Sequence, residues 1–183
     1  MNTSFNFKAS LIVAALLSFS VAQAANLTKA EYKAEKTHIS ANYKVDKKAC
    51  DAFKANAKDV CVQETKAKES VARAELEYSY TGKAADQTKV LEIQAKSAYA
   101  VAKEKCDDQA GNAKDVCVKE AKAVEVKALA DAKLGKKIGE AKKDAAMEKS
   151  DANYKVALEK CDALAGAAKD GCVATAKTNF GKN

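Results

Sequence analysis

The chain has 183 residues, and its 32 basic and 25 acidic residues give a formal net charge of +7 at pH 7. It contains no proline and no tryptophan, and aromatic residues make up only 6% of it. Alanine and lysine dominate together with many acidic residues, whereas the β-branched and aromatic residues that strands favour are sparse. This composition excludes a mainly β fold, and the interleaving of both charge signs argues against disorder driven by net charge.

Residues 1–24 are predicted to be a cleaved signal peptide. Lys8 precedes an apolar run at residues 11–17, and the segment ends at Ala22 and Ala24, which form the small-x-small pattern that signal peptidase cuts. The apolar run is too short for a comfortable membrane span, and no later segment is long enough. We therefore expect a periplasmic protein with no transmembrane segment after signal removal.

After the signal peptide the sequence repeats three times, with a period of about 55 residues. Each copy contains two cysteines that are eleven positions apart. The pairs are Cys50 and Cys61, Cys106 and Cys117, and Cys161 and Cys172. The predicted units are residues 25–80, 81–135 and 136–183, and repeats of this size are typical of arrays of antiparallel helix pairs.

The spacing of the cysteines restricts how they pair. Eleven residues of straight helix would separate the two sulfurs by about 16 Å, beyond the roughly 7 Å Cα–Cα limit for a disulfide. A bond within a copy therefore requires the chain to reverse direction between its cysteines. Export and an even number of cysteines favour disulfides, so we predict three local structural disulfides. The alternatives are continuous helices with core cysteines, and bonds to other helices or chains.

The residues between the cysteines suit such a reversal. Gly111 and Gly166 are predicted as left-handed residues after the arriving helix, and Asn112 as the N-cap of the departing one. In the first copy Ala55 replaces the glycine, and only Asn56 supports a break. Large aliphatic residues are scarce and the core is thin, so each clamp matters: a closed loop of this size is worth on the order of 3 kcal/mol.

Six helices are predicted, two in each unit. The approximate spans are 28–53, 56–80 and 84–110 for the first three and 168–178 for the sixth. The fourth begins at about residue 113, and the fifth carries residues 147–164. The first begins with a capping box of Thr28 and Glu31, and Gly82 marks the clearest break. The break at Gly135 and Gly139 is weaker, and one long rod is the alternative. The predicted fold is all-α: three disulfide-clamped antiparallel hairpins, arranged as a bundle or as an elongated array.

The repeat extends beyond the cysteines. A tyrosine lies seven residues, and a valine five residues, before the first cysteine of every copy: Tyr43, Tyr99 and Tyr154, and Val45, Val101 and Val156. We predict that the tyrosines pack against the partner helix with their hydroxyl groups reaching water. The first helix is expected to bury a stripe that runs from Ile39 to Phe53.

No catalytic, metal-binding or cofactor-binding residue is predicted. The only histidine, His38, lies in a polar part of the first helix and is expected on the surface. Thiol oxidoreductases use Cys-x-x-Cys and zinc knuckles need close cysteine pairs or histidines, whereas ten residues separate the cysteines here. We therefore do not expect an enzyme.

Two segments carry a resemblance to a known family: GNAKDVCVKEA at residues 111–121 and YKVALEKCDALAG at residues 154–166. They resemble small exported proteins of β-proteobacteria that are often labelled "cell envelope biogenesis protein TolA". The resemblance covers nearly all of the chain after the signal peptide. It implies an exported helical envelope protein, and the label reflects the alanine–lysine–glutamate composition shared with the TolA stalk.

These observations favour a non-catalytic periplasmic protein that acts as a structural, interaction or chaperone-like module, with an unknown envelope protein as partner. A chaperone-like role predicts exposed apolar grooves between helix pairs. The alternative is electrostatic binding to an anionic membrane surface or another polyanion through lysine-rich helices. Local lysine doublets occur at residues 47–48, 136–137 and 142–143. Specific nucleic-acid binding is not expected, because Arg73 is the only arginine.

Overall fold

The computed structural model describes residues 27–182 and shows an all-α protein, which confirms the predicted fold class. The predicted signal peptide, with its cleavage residues Ala22 and Ala24, lies outside the described residues. The described part has five α-helices: α1 (Lys29–Ala49), α2 (Ala55–Thr81), α3 (Ala84–Cys106), α4 (Gly111–Asp162) and α5 (Gly166–Asn179). Between residues 27 and 182, no helix has both the length and the apolarity needed to cross a membrane.

The first helix begins at the predicted capping box. The Thr28 hydroxyl accepts a hydrogen bond from the backbone N–H of Glu31 (3.2 Å), and the Glu31 carboxylate accepts one from the backbone N–H of Thr28 (2.8 Å). A single 3₁₀ turn, Cys50–Ala52, follows α1. The predicted buried stripe of the first helix begins at Ile39, which is buried. Phe53, at its predicted end, lies beyond the helix in an extended conformation and is 50% exposed. The prediction for Phe53 is therefore wrong.

The predicted break at Gly135 and Gly139 does not form, and α4 is one helix of 52 residues. Its length is about 78 Å. Two glycines in a helix cost about 1 kcal/mol each relative to alanine. Residues 133–143 contain no proline, serine, threonine or asparagine that would end one helix or cap the next. The predicted fourth and fifth helices are thus the two halves of α4, which runs through the predicted unit boundary at residue 135.

Within residues 27–182, each helix packs only against its neighbours in the chain: α1 on α2, α2 on α3, α3 on α4 and α4 on α5. Of the two arrangements left open by the sequence, the structure is the elongated array. The buried residues of α4 are Glu125, Ala132 and Cys161, and the 3.6-residue period places all three on one side of the helix. It follows that α3 and α5 cover the same side of α4, near its two ends.

The core is built mostly from small side chains. The first cysteine of each clamp is at most 1% exposed. The other buried apolar residues are Ile39, Ala74, Leu76, Val90, Ala95, Ala132 and Ala176. Because alanine removes little apolar area from water, each helix pair gains little from packing, and the disulfides supply a correspondingly large share of the stability.

Candidate interaction surface

The three disulfides join the two cysteines of each repeat, which confirms the predicted pairing. Their Cα–Cα distances are 5.6, 5.7 and 5.6 Å, and each closes a sequence separation of 11. In every copy the buried first cysteine lies at the end of the arriving helix, and the second lies in the second turn of the departing helix. Each repeat is therefore a clamped hairpin and not one unbroken helix.

The reversal depends on one left-handed residue at the start of the departing helix. Gly111 and Gly166 both have φ +56°, and Ala55 has φ +49° at the equivalent position. Glycine adopts this conformation without the steric cost that Cβ imposes on other residues. The predicted left-handed geometry of the two glycines is confirmed, and the first copy adopts it with alanine in the same place.

The predicted caps are wrong in position. Because α3 already ends at Cys106, the glycine does not terminate it, and residues 107–110 form the bend that brings the two sulfurs together. Ala110, in an extended conformation, occupies the N-cap position of α4 without any side-chain cap. Asn112 and Asn56 each lie one residue inside their helices and therefore do not cap them. The clamp, together with the left-handed residue, sets the turn in place of side-chain capping.

A lysine–aspartate ion pair, which is not among the sequence-based predictions, spans each turn. The pairs are Asp51–Lys58 at 2.8 Å, Asp107–Lys114 at 3.0 Å and Asp162–Lys169 at 3.0 Å. In the first pair, the hydrogen bond from Lys58 lowers the pKa of Asp51, and the same bond raises the pKa of Lys58. The sequence signal for these pairs is an aspartate directly after the first cysteine and a lysine three residues before the second, in every copy.

Polar contacts join the first two hairpins along the interface between α2 and α3. The Nδ2 of Asn56 donates a hydrogen bond to the backbone carbonyl of Glu104 (3.0 Å). Two side-chain contacts follow along the interface, Lys105–Glu64 at 2.7 Å and Gln94–Glu75 at 3.4 Å. Asn56, predicted as a turn residue, thus links one hairpin to the next.

An open groove of about 540 Å³ runs along the same interface. Its floor is made of small and apolar side chains: Ala67, Val71, Ser97, Ala98, Val101 and Ala102. Lys68, Gln94 and Lys105 complete its lining. Alanine and serine are too short to fill the space between two helices, and this leaves an apolar channel with cationic groups beside it. The groove therefore lies between the first hairpin and the second.

The repeated tyrosines of the second and third copies are half-buried packing residues. The Nζ of Lys122 lies 4.8 Å from the centroid of the Tyr99 ring and 2.5 Å from the carboxylate of Glu125. The hydrogen bond with Glu125 raises the pKa of Lys122. Glu125 is buried, and this pairing satisfies its carboxylate, so the cluster is a packing feature. In the third hairpin the ring of Tyr154 lies 5.9 Å from that of Phe180.

The middle of α4, residues 133–149, is exposed on every side. It includes the lysine doublets at 136–137 and 142–143. Leu134, Ile138 and Met147 are 56%, 46% and 50% exposed. The nearest carboxylate to any of its lysines is that of Glu140, which lies 3.9 Å from Lys136. This span offers cationic and apolar groups together to a partner.

Within residues 27–182, no group of three or more histidine, cysteine or acidic side chains is arranged to hold a metal ion. His38 is exposed on α1, as predicted. Comparison of the chain with protein-family models, with curated proteins and with solved structures finds no match. The groove and the uncovered parts of α4 are the candidate functional surfaces, because both present apolar side chains that no other part of residues 27–182 covers.

Proposed function

We propose that this chain is a non-catalytic helical protein of the bacterial periplasm that acts as a structural, interaction or chaperone-like module of the cell envelope. The signal-like residues 1–24 and the three disulfides support export, because disulfides persist in oxidising compartments. The described surface offers a groove and charged helices, which supports binding as the activity.

The groove between α2 and α3 carries this proposal. A partly folded protein exposes apolar side chains, and Val71, Ala98 and Val101 offer them an apolar floor. Lys68 and Lys105 beside the groove are already paired with carboxylates at 2.7 Å, so they add no charge preference. The favoured partner is an exposed apolar segment.

Aggregation of a heat-denatured client such as citrate synthase tests the proposal by light scattering. We expect the oxidised protein at equimolar ratio to delay aggregation. Ala98→Glu should abolish the delay, because it places a carboxylate in the apolar groove. Ala34→Glu is the matched control, since Ala34 is exposed on α1 away from the groove. Absence of a delay, or equal loss of it in both variants, would contradict a role for the groove.

A stable envelope partner is tested by photo-cross-linking in cells. A photoreactive residue at position 98 should give a discrete adduct that the same residue at position 34 does not give. Identical adducts from both positions would show that the groove is not the contact surface.

A second function, binding to an anionic membrane surface, is favoured by the exposure of residues 133–149. Lysines attract anionic headgroups through long-range fields that salt screens. Sedimentation with vesicles containing phosphatidylglycerol tests it. Binding at low ionic strength should weaken in Lys142→Ala/Lys143→Ala and remain in Lys47→Ala/Lys48→Ala. No binding at low salt would remove this function.

A further inference from the structure

One long side of α4 has no partner within residues 27–182, although the repeat predicts one. When the copies are aligned by their cysteines, the first half of α4 corresponds in sequence to α2, because Cys117 aligns with Cys61. The second half corresponds to α3, because Cys161 aligns with Cys106. The chain folds back at Gly82, so α2 and α3 pack against each other. The two halves of α4 instead form one continuous helix and do not fold back on each other. The residues that α2 and α3 bury against each other therefore have counterparts on α4 that no other helix covers.

The apolar residues of this surface recur on α4 but are exposed there. The aligned residues are Val60 and Val116, Ala67 and Ala123, Ala74 and Ala130, and Val101 and Val156. The members in α2 and α3 are buried or half-buried, whereas every member in α4 is exposed. Ala74 is 6% exposed, for example, while Val116 and Val156 are 44% and 53% exposed. Leu134 and Ile138 lie on the same side of α4, opposite the side that α3 and α5 cover.

The polar contacts of the interface recur as well. The contact Glu64–Lys105 aligns with Glu120 and Lys160, the contact Glu75–Gln94 with Asp131 and Lys149, and the contact Asn56–Glu104 with Asn112 and Glu159. Both side-chain pairs on α4 are of opposite charge. Among the ion pairs of residues 27–182, Glu120, Lys149 and Lys160 have no partner.

These pairs cannot form within one chain. Glu120 and Lys160 are about 60 Å apart along the continuous helix. Both side-chain pairs are centred on residue 140. A second copy related by a twofold axis at the level of residue 140, on the side of α4 that carries Ile138, would bring Glu120 of one chain to Lys160 of the other. The same register would bring Asp131 to Lys149, and each contact would occur twice.

The face of α1 that aligns with the α2-contacting face of α3 lacks the residues that make its polar contacts. Ala49 stands at the position of Lys105, and His38 stands at the position of Gln94. The uncovered face of α4 carries the counterparts of both the α2 side and the α3 side of that interface. It is therefore complementary to the same face of a second copy.

We propose that two copies of this chain form an antiparallel dimer through this face of α4, repeating between chains the packing of α2 on α3. The two α4 helices would then bury their valine, alanine, leucine and isoleucine side chains against each other. This inference does not depend on the groove, because it uses a different surface. Of the exposed span 133–149 it covers the side that carries Leu134 and Ile138, and it leaves Lys136 and Lys143 on the opposite side.

The mass of the oxidised protein in solution, from light scattering coupled to gel filtration, tests the dimer. We expect twice the chain mass. Leu134→Asp/Ile138→Asp should raise the dissociation constant by about 100-fold or more, because it buries carboxylates in the apolar seam. Met147→Asp is the matched control, since Met147 is equally exposed on another side of the helix.

All of these side chains are exposed, so helicity by circular dichroism should not change in any variant. A monomer at concentrations up to roughly 100 µM, or a dimer that the two variants affect equally, would overturn the proposal.

Charge reversal tests the register. Glu120→Lys alone should weaken the dimer by about tenfold, because two ion pairs become repulsive. Lys160→Glu alone should do the same. The double variant Glu120→Lys/Lys160→Glu should restore the parent affinity, since every pair is again of opposite sign. Additive losses in the double variant would show that the two residues do not meet and would overturn the antiparallel register.

Discussion

Replacing both cysteines of the third clamp, as Cys161→Ala/Cys172→Ala, should release α5 from α4 and leave the rest of the protein folded. The reason is the small contact area of α5. It has 14 residues, its one buried residue is Ala176, and it packs on α4 alone. The rings of Tyr154 and Phe180 and the 2.6 Å pair between Lys182 and Asp151 add to that contact.

The size of the effect follows from the closed loop. The third disulfide spans a sequence separation of 11, and a loop of this size is worth about 3 kcal/mol in the chain-entropy relation. That energy corresponds to a change on the order of 100-fold in the equilibrium between docked and free α5. A helix of 14 residues is marginal on its own in water. Once detached, α5 should therefore lose most of its helix.

Hydrogen–deuterium exchange read by mass spectrometry measures this directly. Amides of α5 should lose protection by a factor on the order of 100, while those of α2 and α3 keep theirs. Cys106→Ala/Cys117→Ala is the comparison variant. It should affect α3 less, because α3 packs on both α2 and α4. If the protection of α5 stays within about twofold of the parent, the clamp does not hold this helix and the argument fails.

Three further predictions concern the first two turns. Gly111→Ala should lower the free energy of unfolding by about 1 kcal/mol, because a residue with a Cβ is strained at φ +56°. No clash adds to this loss, since the new Cβ would meet nothing within 4 Å. Ala55→Gly relieves the same strain at φ +49° and should raise the free energy of unfolding by a similar amount. If the two variants shift the urea unfolding midpoint in the same direction, this reasoning is contradicted. Because the pKa of Asp51 is lowered, chiefly by its hydrogen bond with Lys58, its contribution to stability is present above its ordinary value of 3.8 and is lost as pH falls through the lower folded value. Lys58→Met should therefore flatten the acid side of the melting-temperature profile, and an unchanged profile would refute the pairing. Asn56→Ala removes the bond to the α3 carbonyl and should destabilise by about 1 kcal/mol in thermal unfolding; an unaltered melting temperature would show that the bond contributes nothing.

The sequence by itself determined the all-α class and the left-handed glycines, and it favoured the disulfide pairing over its alternatives. Each of these is a local property. Composition sets the backbone preference, and the eleven-residue spacing permits a bond only if the chain turns back. Gly111 and Gly166 then supply the one conformation that other residues adopt at a cost. The Thr28–Glu31 capping box belongs to the same group, because its contacts lie within one turn.

Only the tertiary structure decided that the hairpins form an open array and that Asn56 links two hairpins. Many faces of these helices carry the same alanine and lysine pattern, so local sequence does not rank one pairing above another. The choice depends on which faces meet across the array. That choice covers Ala74 in α2 and leaves its counterpart Ala130 in α4 exposed. Packing energy is non-local, and two nearly identical repeat segments therefore have different surroundings.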